Sequence, residues 1–281
     1  LNEPALPPAL AGTLVLVRHG ESTYVAEGRF QGRQDAPLSE LGRRQAGLVG
    51  QRLADRGSGT ALPIPLGPPI GVWHSPLSRA ADTAAAIATV QPKEPRLHPL
   101  PELTEIAQGE WEGLPAADVR ARWPAEIEAW RRDPTRHNAP GGERVLDAAS
   151  RVREGLATVI ASLVAEHGLR NPADDPASAP TDRPEPVPGY PTLPVPDGMP
   201  AKPWAVVVAH DGIFRLCLMS LLGVPYERFW SFPFNLCGIT VVALSQGVAT
   251  LRAHNLAEHL SPLTQAERAA AEARGDRRGA L

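Results

Sequence analysis

Apolar residues along this chain follow two rhythms. Short unbroken runs occur at Leu14-Val15-Leu16-Val17, Ile70-Gly71-Val72-Trp73, Trp204-Ala205-Val206-Val207-Val208-Ala209 and Ile239-Thr240-Val241-Val242-Ala243-Leu244. Such runs are too short for helices and read as buried strands. Between them the apolar positions are spaced. Leu41, Leu48, Val49 and Leu53 fall largely on one face of a helix that Ser39 caps, running to about Arg56. The Ala-rich stretch 79–90 favours helix strongly, with Ser78 as its expected cap. Further helices are expected over 115–131, entered at Pro115, over 143–167, ending at Gly168, and over 211–222, stopped by Gly223. Gln246-Gly247 reads as a hairpin turn into a strand over 248–253. Strands alternating with helices predict an α/β fold, a mostly parallel central sheet flanked by helices on both faces.

The remaining segments read as connections. Residues 1–12, rich in Pro and Ala, are expected to form a flexible arm, and 20–38 a loop after a short helix. An extended piece at 97–104 leads into a Gly-punctuated loop over 105–113. The segment 171–203 carries Pro at short intervals and lacks the apolar content to pack. It is expected to be an insertion in one domain spanning 13–262, because neither flank alone has enough strands for a sheet. Thr264-Gln265-Ala266-Glu267 is a capping-box pattern, so 263–281 is expected to be a C-terminal helix with a fraying tail.

Composition narrows the function classes. The 281 residues are 43% hydrophobic, enough for a sizeable core. The net charge of −3, with no long basic run, argues against nucleic acid or a membrane surface as partner. No apolar stretch approaches the ~20 residues needed to span a bilayer. Cys217 and Cys237 lie in apolar surroundings and read as buried free thiols. With no visible signal peptide, the expected setting is cytoplasmic.

Chemistry gathers at the carboxyl ends of the predicted strands, where open α/β sheets place their ligand crevices. Arg18 and His19 follow the first run, Arg79 follows the second across a short turn, and His210 follows the third. In a parallel sheet these ends share one edge, so the four side chains can converge. Gly20 lets the backbone turn sharply after His19. Arg79 sits in the first turn of its helix, where the dipole disfavours a cation, which hints at an anion nearby. Two Arg and two His around one point suit a phosphoryl group, for which Arg offers a planar fork.

At this point the sequence resembles a known family. Arg18-His19-Gly20-Glu21-Ser22 resembles the RHGE[TS] signature of the histidine phosphatase superfamily, the phosphoglycerate-mutase-like proteins. Phe30-Gln31-Gly32 with 37–46, Ser75-Pro76-Leu77-Ser78-Arg79 with 80–84, and Leu103-Thr104-Glu105-Ile106 with 109–113 match successive family motifs. Gly141-Gly142-Glu143, His210-Asp211-Gly212 with 213–215, and Asn255 through His259-Leu260 continue the series. The resemblance implies a phosphohistidine mechanism needing no metal and no cofactor. His19 would attack phosphorus, while Arg18, Arg79 and His210 hold the equatorial oxygens. Glu105 would protonate the leaving oxygen and later activate water, with Glu102, Glu110 and Glu112 as nearby competitors. Substrate contacts are expected from Arg18, Arg79, Ser22, Tyr24, Gln31, Gly32 and Asp211. The substrate would be a small phosphomonoester, and the chain a monomer or a homodimer.

Three positions depart from the family pattern. Tyr24-Val25 stands where Trp-Asn is usual, Asp211 where Gly is common, and Arg144 where Ser follows the Gly-Gly-Glu. Tyr24, Val25, Phe30 and Trp111 are candidates for a partly apolar entrance. The short span from Glu105 to Gly141 favours a phosphatase over a cofactor-dependent mutase, which carries a larger cap there. A non-catalytic phospho-ligand binding protein is the third reading. Phe229-Trp230-Ser231-Phe232 fits either the core or an interface.

Overall fold

The computed structural model describes residues 6–8, 10–55, 61–169 and 202–263. Most of the Pro-rich segment and the whole capping-box pattern at 264–267 lie outside them. The strands are β1 (Ala11–Arg18), β2 (Val72–His74), β3 (Leu97–Pro99), β4 (Trp204–Ala209), β5 (Ile239–Ser245) and β6 (Val248–Leu256). They form one sheet in the order β3-β2-β4-β1-β5-β6. Strands β3, β2, β4 and β1 are parallel, whereas β5 runs antiparallel to β1 and β6 antiparallel to β5. Gln246 and Gly247 both have positive φ, 53° and 76°, the backbone of a tight hairpin.

Both sheet faces are covered, which explains the unbroken apolar runs. Leu14 and Leu16 of β1, with Ala205, Val207 and Ala209 of β4, pack on one side against α6 (Val145–Leu169) and α7 (Asp211–Leu222). Val15, Val17, Val206 and Val208 pack on the other, with Val49 and Leu53 of α2 (Glu40–Ala54) and Ala84 and Ile87 of α3 (Ser78–Thr89). The register sets the site. Arg18 pairs with Ala209 and His74 with Val208, so His19, Ser75 and His210 leave the sheet side by side. The His19 N–H donates to Ala209 O at 3.0 Å and the Ser75 N–H to Val208 O at 3.0 Å, extending the ladder one step past the strands.

The elements depart from expectation at several places. Ser39 caps α2 as predicted, its Oγ accepting from the Gly42 N–H at 3.0 Å. Ser78 does not cap α3; it is the first helical residue, and Asp35 from a distant loop accepts from both its N–H and its Oγ at 2.8 Å. The expected helix 115–131 is two helices, α4 (Ala116–Arg122) and α5 (Pro124–Arg132). Pro124 cannot continue a helix from Trp123 but opens a new one. Helix α6 runs to Leu169, one residue past the expected stop at Gly168. Helix α7 ends as expected at Gly223, whose φ of 65° is the left-handed cap. A short helix α1 (Thr23–Glu27) follows β1.

Two glycines let α2 approach the loop after β1. A Cβ on Gly20 would lie 2.5 Å from the Gly42 carbonyl oxygen, and one on Gly42 would strike the Glu21 carbonyl. The backbones touch here, so the first turn of α2 braces the turn that carries His19. Gly42→Ala is therefore expected to destabilise the protein by about 1–3 kcal/mol through overpacking. Urea denaturation measures this, and an unchanged midpoint would refute the contact.

Candidate active site

His19 stands just beyond β1 and is 2% exposed. Its Nδ1 lies 2.6 Å from the Gly20 carbonyl oxygen. A carbonyl can only accept, so this contact keeps the ring proton on Nδ1 and leaves the Nε2 lone pair available. Burial, with Arg79 and Arg18 close by, holds the imidazole well below its ordinary value, so it is neutral at pH 7. His210 stands beyond β4, its ring edge-on to His19 with centroids 5.1 Å apart. It too is buried and held well below its ordinary value by burial and by Arg79. Its Nε2 lies 2.8 Å from Ser75 Oγ. A hydroxyl donating there would leave the other proton on Nδ1, which has no protein partner among the described residues.

Arg79 is fully buried at the start of α3. Its guanidinium donates to Gln34 O at 3.2 Å and Gly32 O at 2.8 Å, while its Nε has no protein partner among the described residues. Burial brings its pKa down to about 10, with the charges of Glu105 and Asp35 opposing, so it remains a cation at pH 7. Asp35, which accepts from Ser78 at the start of α3, places a carboxylate near Arg79 at that helix end. Arg18 donates to Phe234 O at 2.6 Å, and its own carbonyl accepts the Cys237 N–H at 3.0 Å, so the 234–237 turn grips it at both ends. Asn255 Oδ1 in turn accepts the Asn235 N–H at 2.6 Å and holds that turn in place.

The acidic candidates separate by environment. Glu105 is 4% exposed, and burial, aided by the charge of Asp211, raises its pKa against the Ile106 N–H, Arg79 and Arg18. A Cβ on Gly212 would come within 2.8 Å of Glu105 Oε1, so the carboxyl rests against the start of α7 beside His210. Glu112 accepts from the N–H groups of Arg33, Gln34 and Gln108 at 2.8–3.0 Å and holds the 32–34 loop. Glu110 is exposed and Glu102 lies in a turn after β3. Of the four, Glu105 alone combines burial, a raised pKa and contact with the second His segment.

The expected substrate contacts are placed less uniformly. The Ser22 hydroxyl caps α1 and also accepts from Gln31 Nε2, so these two buried residues serve each other. Tyr24 donates to Gln34 Oε1 at 3.0 Å on the exposed side. Gly32 offers its carbonyl to Arg79, and a Cβ there would collide with Glu112. Asp211 is gripped through both oxygens by Arg215, at 3.2 and 3.0 Å. Phe30 and Trp111 do not line an entrance; both are fully buried and pack edge-to-face with each other. Phe229 is core as well. Sequence reasoning assigned no role to Ser75, Asp35 or Thr83, which accepts the Gly20 N–H at 3.1 Å. Ser75 carried a usable signal, since it directly follows a strand end.

One buried cation, one half-buried cation, two neutral imidazoles and one protonatable carboxyl thus surround the ends of β1, β2 and β4. Comparison with known proteins identifies the family. The family model described as histidine phosphatase superfamily (branch 1) matches residues 14–168 and 197–257. Glucosyl-3-phosphoglycerate phosphatase of Mycobacterium tuberculosis (strain ATCC 25618 / H37Rv) is 33% identical over 220 residues, covering 78% of this chain and 79% of the relative. A 2,3-bisphosphoglycerate-dependent phosphoglycerate mutase of Chelativorans sp. (strain BNC1) is 36% identical over a shorter 170 residues, 57% of this chain and 77% of the relative. The native structure of mycobacterial glucosyl-3-phosphoglycerate phosphatase superposes with a TM-score of 0.65 at 26% identity, over 88% of this chain and 100% of that one. The chain belongs to the histidine phosphatase superfamily, and it is a phosphatase.

Proposed function

We propose that this enzyme hydrolyses small phosphomonoesters through a phosphohistidine formed on His19. The observation that carries the reading is the buried, neutral His19 whose Nδ1 proton is committed to Gly20 O, which presents Nε2 as the nucleophile. Nε2 attacks phosphorus in line, forming the N–P bond as the ester P–O bond breaks. The proton of Glu105 passes to the departing oxygen. Arg18, Arg79 and the Nδ1–H of His210 balance charge on the equatorial oxygens, a role supported by Arg79 Nε and His210 Nδ1 being buried donors with no protein partner among the described residues. Water then attacks the phosphohistidine, Glu105 as carboxylate takes its proton, and the N–P bond breaks to release inorganic phosphate.

Phosphorylated glyceric acid derivatives head the candidate substrates, because a relative covering most of this chain is named for glucosyl-3-phosphoglycerate. Initial rates of phosphate release should be measured on glucosyl-3-phosphoglycerate, 3-phosphoglycerate, sugar phosphates and nucleoside monophosphates. A parallel assay supplies 3-phosphoglycerate with 2,3-bisphosphoglycerate and follows the 2-phosphoglycerate formed. Phosphate release is expected to outrun isomerisation. Isomerisation outrunning release would make this a mutase, and phosphate binding without either activity would make it a binding protein.

A further inference from the structure

The Gly141-Gly142-Glu143 turn has no part in the mechanism above, yet it lies against the loop that carries the acid. The Glu110 N–H donates to Pro140 O at 2.9 Å and the Glu143 N–H to Ala107 O at 2.9 Å. Gly109, with φ 50°, sits so close that a Cβ would collide with this turn. The Glu143 carboxylate then joins two distant guanidiniums. It accepts from Arg151 of α6 at 2.8 Å through both oxygens and from Arg33 Nη2 at 2.9 Å. Both guanidiniums reach one further acceptor in common, the backbone carbonyl of Glu105, Arg151 at 3.2 Å and Arg33 at 3.4 Å. Arg151 also donates to Glu102 O at 2.7 Å. Burial opposes ionisation of Glu143, but the Arg151 hydrogen bonds and charge win and hold its pKa below the ordinary value, so the clamp is ionic at pH 7.

We infer that Glu143, Arg151 and Arg33 form a positioning clamp for Glu105, fixing the backbone of the acid so that its carboxyl meets the leaving oxygen. The carbonyl of Glu105 is otherwise a single acceptor in a loop without regular structure. Two cations sharing one carboxylate leave a surplus positive charge, and that surplus is directed at this carbonyl. A guanidinium fork bound on both sides has little freedom to shift. The inference rests on the reading of Glu105 as the acid.

The leaving group tests it. An aryl phosphate such as p-nitrophenyl phosphate expels a weakly basic phenolate and needs little proton donation. An alkyl phosphomonoester expels a strongly basic alkoxide and needs the acid in place. The ratio kcat/KM reports the first phosphoryl transfer for both. Glu143→Gln and Arg151→Lys are expected to lower kcat/KM for the alkyl ester by about 10²-fold, the cost of a small misplacement, and for the aryl ester far less. Arg151→Lys keeps the charge and remains informative if Glu143→Gln folds poorly, and thermal melts of each variant report folding separately. Equal losses on both esters would reduce the clamp to a structural element and overturn the inference. Glu105→Gln is the control. If it shows the leaving-group dependence and the clamp variants do not, the clamp fails alone; if it shows none, the acid assignment fails and the clamp with it.

Discussion

His19→Ala is expected to lower kcat by at least about 10⁴-fold and to abolish the phosphoenzyme, because it removes Nε2, the atom proposed to bond phosphorus. In the wild type, rapid quenching should trap a phosphorylated chain that is stable in alkali and labile in acid, as an N–P bond is. The variant should show no such species. Folding is expected to survive. His19 is neutral, it contributes one hydrogen bond to its neighbour Gly20 O, and its ring meets His210 at 5.1 Å without a shared hydrogen bond. The brace between Gly20 and Gly42 is backbone and does not involve the ring. His19→Asn, which keeps a polar group in the buried site, should be as inactive as His19→Ala. Phosphate release at the wild-type rate in either variant would end the phosphohistidine mechanism.

The residues of this site were legible in the sequence to different depths, and the reasons are physical. His19 and His210 follow unbroken apolar runs, and such runs mark strands buried on both faces, whose ends define a sheet edge. Pattern alone therefore brings the two together. Arg79 was legible as an anomaly, a cation at a helix start, but its anchor was not. Asp35, which replaces Ser78 as the cap of α3, comes from a loop whose approach depends on the Gly32 and Gln34 carbonyls meeting Arg79. No local signal encodes such a contact. The break between α4 and α5 has a local signal, because Pro124 inside a helical pattern predicts an end at Trp123. Phe30 and Trp111 flank recognisable motifs and so suggested an entrance, yet packing uses them as core. The clamp of Glu143 and Arg151 hides in a different way. Glu143 precedes α6 and Arg151 lies within it, but their target, Glu105, is reached only when α6 docks beside the turn after β3.

Glu105→Gln is expected to lower kcat/KM for alkyl phosphomonoesters by about 10²–10⁴-fold, the usual contribution of a placed general acid. The pH profile separates this from a loss of packing. The first step of the proposed mechanism needs His19 neutral and Glu105 protonated. Burial holds His19 well below its ordinary 6.5 and pushes Glu105 above its ordinary 4.5. Activity should therefore fall on the acid side only well below pH 6.5, and on the alkaline side only above pH 4.5, where Glu105 gives up its proton. Glu105→Gln should erase the alkaline limb and keep the acid one. Stability supplies an independent sign. A carboxyl whose folded pKa is raised contributes fully below its unfolded value, and that contribution is lost as pH rises through the folded value. Gln carries no such cost. The variant should therefore gain stability relative to the wild type as pH rises above 4.5, and not below it. A parallel shift at all pH values, with the alkaline limb intact, would assign the proton to another group.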